Sequence, residues 1–253
     1  MNSLKLVMRL NAASCVSFGL LFLLMSSEVA AFLGQVPPAL IIILGIGLLG
    51  NGAHLFGAAR RTDIRENEVI WFSLGDFIWW LATLALIVTN LWITTLWGMV
   101  TAAGVATIVA GLGVAQLWLL GRHRYGNSNR QHIWVIAESW MALPLWVKIW
   151  LAVMNGVFLA AFAFLPDRIA GISLAAYVAT VPLLAGQVGY DGGLRRILSL
   201  AHLVPWTPLL AWLMIAPDGT IYSTLLTFTV AICLAFDIND LWLFIKGDRA
   251  VLG

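Results

Sequence analysis

The chain has 253 residues, 61% hydrophobic and 10% charged, with 14 Lys and Arg against 12 Asp and Glu for a formal net charge of +2. Soluble domains carry about 25% charged residues, so an ordinary water-solvated surface is excluded. A balance so near zero gives no basic face for nucleic acid, and the positive charges instead mark orientation in a membrane.

Apolar runs of about 20 residues cross a hydrocarbon core roughly 30 Å thick as helices. Eight such runs, near 6–25, 39–59, 70–89, 95–120, 146–165, 170–190, 197–216 and 221–245, predict an all-α polytopic transmembrane bundle. Eight crossings put both termini on one side. If that side is the cytoplasm, Lys5, Arg9, Arg60, Arg61, Arg65, Arg122, Arg124, Arg130, Lys148, Arg195, Arg196, Lys246 and Arg249 lie inside and Arg168 alone lies outside. This is the positive-inside distribution. The start of the chain, with Lys5 and Arg9 before the run 16–25 and then Val29-Ala30-Ala31, has the outline of a secretory leader, but the repeat described below makes it the first helix of a unit. Cys15 and Cys233 both fall at membrane depth, where a thiol is most simply a small apolar residue, and no disulfide is expected.

In the second run, Asn51-Gly52 and His54 lie near the cytoplasmic end. The glycines there and at Asp191-Gly192-Gly193 lack the spacing of a nucleotide loop and are expected to end helices or allow close packing. The third run carries Asp76, Thr83 and Asn90 at seven-residue intervals, on one helix face. That stripe reads either as a polar path across the membrane or as hydrogen bonding within the bundle, and the second is favoured, with Thr83 bonding its own helix backbone. Between the fourth and fifth runs, RHRYGNSNRQHIWVIAESWMALP reads as a short amphipathic helix in the cytoplasmic interface. Its apolar side is Ile133, Trp134, Ile136, Ala137, Trp140 and Met141, Glu138 lies opposite, and Pro144 ends it. Pro205 and Pro208 in the seventh run are expected to kink it just after His202.

Self-comparison shows a faint duplication. Phe18 matches Phe158, Phe22 matches Phe162, Asn51-Gly52 matches Asp191-Gly192, Ser73 matches Ser199, Asp76 matches His202, Trp80 matches Trp206, and Gln116-Leu117-Trp118 matches Asp240-Leu241-Trp242. The expected organisation is a four-helix repeat at 1–125, a linker with the interfacial helix at 126–145, and a second four-helix repeat at 146–253. An even number of helices per unit orients both repeats the same way. With NAASCVSFGLLFLL, DFIWW, HLVPWTPLL and FDINDLWLFIKGDR in these places, the chain resembles bacterial polytopic membrane proteins built on a duplicated four-helix unit. The resemblance implies a bacterial inner membrane and no particular activity.

An ionised Asp near the centre of a spanning helix costs about 2.5–3.5 kcal/mol, so Asp237 and Asp240 should face the bundle interior. Asp237 precedes Ile245 by eight residues, about 12 Å of helix. His202, Asp76, His54 and Asn51 fall at similar depth, and Arg195, Arg196, Lys148 and Lys246 can reach that layer by snorkelling. These residues predict one inner-leaflet polar cluster, with Asp76 and His202 as a pair if the repeats pack about a central axis. A haem through His54 or His202 is not expected, and two embedded histidines fall short of the three or four ligands of a metal site, so neither cofactor nor metal is predicted.

Three functional classes fit. The one favoured is a small-solute or proton-linked transporter or other ligand-handling protein, since ionisable residues at membrane depth are functional by default. The second is a non-catalytic accessory or assembly subunit, with a membrane-protein partner or a second copy of the chain against its apolar flank. The third is a lipid- or quinone-directed enzyme, which no sequence motif singles out. The bilayer is the expected partner in all three.

Overall fold

A computed structural model describes residues 1–217 and 219–251. Among the described residues the chain forms α1 (Asn2–Leu24), α2 (Ser26–Leu33), α3 (Pro38–Arg60), α4 (Glu66–Thr89), α5 (Leu96–Arg124), α6 (Asn129–Ala142), α7 (Leu145–Ala160), α8 (Arg168–Asp191), α9 (Ser199–Ile215) and α10 (Ile221–Ile245). Short 3-10 turns extend α7 through Ala161–Phe164 and lead into α9 at Arg196–Leu198. There is no strand among these residues beyond two isolated bridges, Gly34 with Ile93 and Arg195 with Val251.

Eight of these segments are long and apolar enough to cross a membrane, and the chain is a multi-pass membrane protein. The outward side chains agree with that solvent. Trp71 is 67% exposed and Phe228 65%, positions that would be costly in water and are ordinary against lipid.

The helix ends follow local rules. Pro38 opens α3, where a missing N–H costs nothing. Asn90 closes α4 and Gly192 closes α8, both in the left-handed region, at φ 54° and 66°. The Thr220 hydroxyl accepts the Ser223 N–H to cap α10. Ser128 and Gln131 form a reciprocal capping box on α6.

Two compact units divide the chain, Met1–His123 and Arg124–Gly253. In the first, α1 packs along α3 through small residues. A Cβ on Gly19 would stand 3.0 Å from the Gly45 carbonyl oxygen, and one on Gly52 would stand 3.1 Å from that of Ala12. Backbones this close are what glycine permits between spanning helices. Gly52 therefore serves close packing inside α3 and does not end it, and of the two glycine positions only Gly192 terminates a helix. In the second unit, Met154, Phe158, Ala170, Trp206, Leu209, Leu226 and Val230 form the buried core between α7, α8, α9 and α10.

Three local features are to be set against expectation. The eight-residue α2 lies between the first two spans, too short to register as an apolar run. Pro205 and Pro208 sit inside α9, which runs on as one helix past both, as a kinked or a straight helix would. The amphipathic helix α6 does turn Ile133, Trp134, Trp140 and Met141 outward, but its inner side is polar, with His132 and Ser139 buried. His132 Nε2 lies 2.7 Å from the Gly189 carbonyl oxygen, and the Ser139 hydroxyl accepts the Leu194 N–H. The helix is tied to the second unit by hydrogen bonds and leaves its apolar side free for lipid.

Candidate functional site

In the second unit, α10 carries Cys233 and Asp237 one turn apart, so both side chains share a face. That face meets α9 and α7. Asp237 Oδ1 lies 3.3 Å from His202 Nδ1, and its Oδ2 lies 3.6 Å from Cys233 Sγ. Cys233 Sγ is also 3.5 Å from Met154 Sδ. The donor atoms of His202, Cys233 and Asp237 all lie within 4.8 Å of one another.

Aromatic packing sets the position of the imidazole. The His202 ring stacks on Trp206 at 4.4 Å between centroids, and Trp206 packs on Phe158 at 4.6 Å. Trp206 also donates from Nε1 to the Ala176 carbonyl oxygen. Trp206 and Phe158 are fully buried, so the wall behind the imidazole is rigid. With Nδ1 protonated, His202 donates to the carboxylate.

Asp240 has a different fate. Arg196 ion-pairs with Asp240 through one terminal nitrogen, while its Nε donates to Asp248 at 2.7 Å. One guanidinium thus bridges two carboxylates near the end of α10. Asp240 is 33% exposed and Asp248 44%, and pairs this open contribute at most about 1 kcal/mol.

The first unit holds its own polar chain. Asp76 is 4% exposed, and its Oδ2 accepts from Asn11 Nδ2 on α1 at 2.8 Å and from Gln116 Nε2 on α5 at 2.9 Å. Cys15 Sγ donates to Asn11 Oδ1 at 3.8 Å and accepts from Asn51 Nδ2 at 3.5 Å. A Cβ on Gly113 would stand 3.0 Å from that of Asp76, so only glycine lets α5 come close enough for Gln116 to reach. Every partner of this carboxylate that these bonds supply is a neutral amide.

Within each unit the predicted residues fall into local sets. Asp76 and Asn51 belong to the amide-centred chain, and Asp237 and His202 to the thiol-containing set. Within the first unit Asp76 is met by Asn11 and Gln116, and within the second His202 meets Asp237. His54 stands apart from the amide-centred chain of its own unit. Its side chain is 49% exposed, 3.8 Å from Glu68, and edge-on to Phe72. Glu68 is in turn held by Arg61.

Of the four candidate charge partners, Arg196 is the one that meets a predicted carboxylate among the described residues, and Arg195 lies 3.9 Å from Asp191. Arg195 donates to the Arg249 carbonyl oxygen and to Tyr125, Lys148 donates to the Met141 carbonyl oxygen, and Lys246 lies over the Trp242 ring. Thr83 bonds the Trp79 carbonyl oxygen one turn back, and Asn90 caps the end of α4. Sequence reasoning does not single out Asn11, Gln116, Cys233 or Met154. Each looks unremarkable in its own helix, and only the packing gives it a polar neighbour.

No family model matches this chain, and no curated protein or solved structure matches it either.

Proposed function

We propose that this chain is a bacterial inner-membrane protein that handles a small solute in exchange for protons, with His202, Cys233 and Asp237 as the binding set. The observation that carries this reading is a carboxylate on a spanning helix that is almost fully buried, 8% exposed, and whose hydrogen-bond partners among the described residues are an imidazole and a thiol. A bundle that needed nothing but stability would do better with apolar side chains there. Its orientation, termini inside, follows the positive-inside distribution. The faint duplication adds support, because matched positions share burial: Ser73 with Ser199, and Trp80 with Trp206. Asp76 and His202 occupy a third matched position. No haem forms part of the proposal.

A second reading, a non-catalytic subunit of a membrane assembly, is favoured by the closed amide cage around Asp76 and by the outward apolar side of α6. One experiment separates the two. Full-length protein and Asp237→Asn are reconstituted in liposomes, and internal pH is followed as a panel of amino acids, sugars and inorganic ions is added outside. Proton movement with one solute class, lost in Asp237→Asn at unchanged melting temperature, is the expected result. Lowered melting in Asp237→Asn together with no proton movement in either protein leaves the subunit reading.

A further inference from the structure

We propose that His202, Cys233 and Asp237 form a binding site for a divalent transition-metal cation of the zinc type. The inference takes its site from the ligand-handling reading above and names the ligand class.

Three observations carry it. The first is chemistry: imidazole nitrogen, thiol sulfur and carboxylate oxygen are the three donor types that zinc accepts, brought together from α9 and α10. The second is geometry. Bond lengths of about 2.0–2.3 Å in a tetrahedron give ligand-to-ligand edges of roughly 3.3–3.8 Å. His202 Nδ1 lies 3.3 Å from one Asp237 oxygen and Cys233 Sγ lies 3.6 Å from the other, and with one donor atom taken from each residue all three lie within 4.8 Å of one another, so a metal ion would draw the widest edge in by about 1 Å. Met154 Sδ, 3.5 Å from Cys233 Sγ, is a soft fourth neighbour on α7. The third is charge: a thiolate and a carboxylate together neutralise a dication, so the loaded site carries no net charge at a depth where net charge is costly. A monovalent soft cation would leave one negative charge over.

The Cys233 thiol has two acceptors within reach, Asp237 Oδ2 at 3.6 Å and Met154 Sδ at 3.5 Å. On metal binding the S–H bond breaks heterolytically. Its electron pair becomes the sulfur–metal donor pair, the proton leaves to water, and nothing is oxidised or reduced. At least one proton is therefore released per ion bound, which matches the proton exchange proposed for the site. The first unit offers a contrast: Asp76 Oδ2 is already taken by two amide N–H groups, and amide nitrogens do not ligate.

The test is a cobalt(II) titration of the purified full-length protein in detergent, read by near-ultraviolet thiolate-to-metal charge transfer and visible bands of tetrahedral cobalt, followed by displacement with zinc. One equivalent of cobalt with a thiolate band is expected. Cys233→Ser should remove the band, His202→Gln and Asp237→Asn should each weaken binding by at least about tenfold, and Cys15→Ser should change nothing. Helical circular dichroism and gel filtration report whether each variant folds. If one does not, the wild-type titration and Cys15→Ser still decide. A folded wild type with no thiolate band overturns the site, as does a band that survives Cys233→Ser or disappears in Cys15→Ser. If cobalt binds as expected but liposomes move neither zinc nor protons, the site stands and the transport reading falls. Proton-coupled movement of another solute with no cobalt bound overturns the metal site and leaves the transport reading standing.

Discussion

Among the described residues each unit buries one carboxylate on a spanning helix, and the two are compensated by opposite means. Asp76 is held by the amides of Asn11 and Gln116, groups that neither titrate nor ligate, on helices drawn together by Gly113. Asp237 is held by an imidazole and a thiol, and its neighbourhood is shaped by stacked aromatic rings. Burial alone thus says little about role. The partner's chemistry separates a carboxylate that locks helices from one that can exchange what it holds.

The largest effect is expected at the aromatic wall. Trp206→Ala removes a fully buried ring behind His202 and should cost about 3–5 kcal/mol, seen as a large drop in melting temperature in detergent. A small drop would mean that packing does not hold the second site. Next come the amides around Asp76. Asn11→Ala and Gln116→Ala each remove a hydrogen bond to a buried carboxylate and should each cost about 1.5–3 kcal/mol, whereas Asp76→Asn keeps an acceptor oxygen and should cost less. If Asp76→Asn proved the worst of the three, the charge itself would be required there and the contrast between the units would fail. The smallest effect is expected at Asp240→Asn, below about 1 kcal/mol and smaller still in high salt, because its pair with Arg196 is partly solvated.

The spanning helices were legible because hydropathy over 20 residues is a strong signal and lipid leaves the backbone few alternatives. The short α2 was not, since eight residues cannot carry that signal. Within the sites, Asp237 and His202 stood out as ionisable groups in apolar runs, but their partners were hidden. A cysteine in a spanning helix reads as a small apolar residue until Asp237 is seen one turn away, and Asn11 and Gln116 read as bundle hydrogen bonders without a designated acceptor. Asp237 and Asp240 looked like one feature, and three residues of helix give them separate partners. His132, in a segment that reads as an interfacial linker, anchors α6 because its partner, the Gly189 carbonyl, is 57 residues away in the chain. Long-range pairing is the information that a single sequence withholds.

The node at Asp76 also has a consequence for biogenesis. Its two donors lie 65 residues before it and 40 residues after it. At synthesis rates of about 5–20 residues per second, Gln116 emerges roughly 2–8 s after Asp76. During that interval α4 enters the membrane with half of its carboxylate's final support, supplied by Asn11 on a helix already made. The order of emergence makes Asn11 the early chaperone of this charge and Gln116 its late seal, so loss of Asn11 should lower the yield of inserted protein more than loss of Gln116, even where the two finished proteins melt alike.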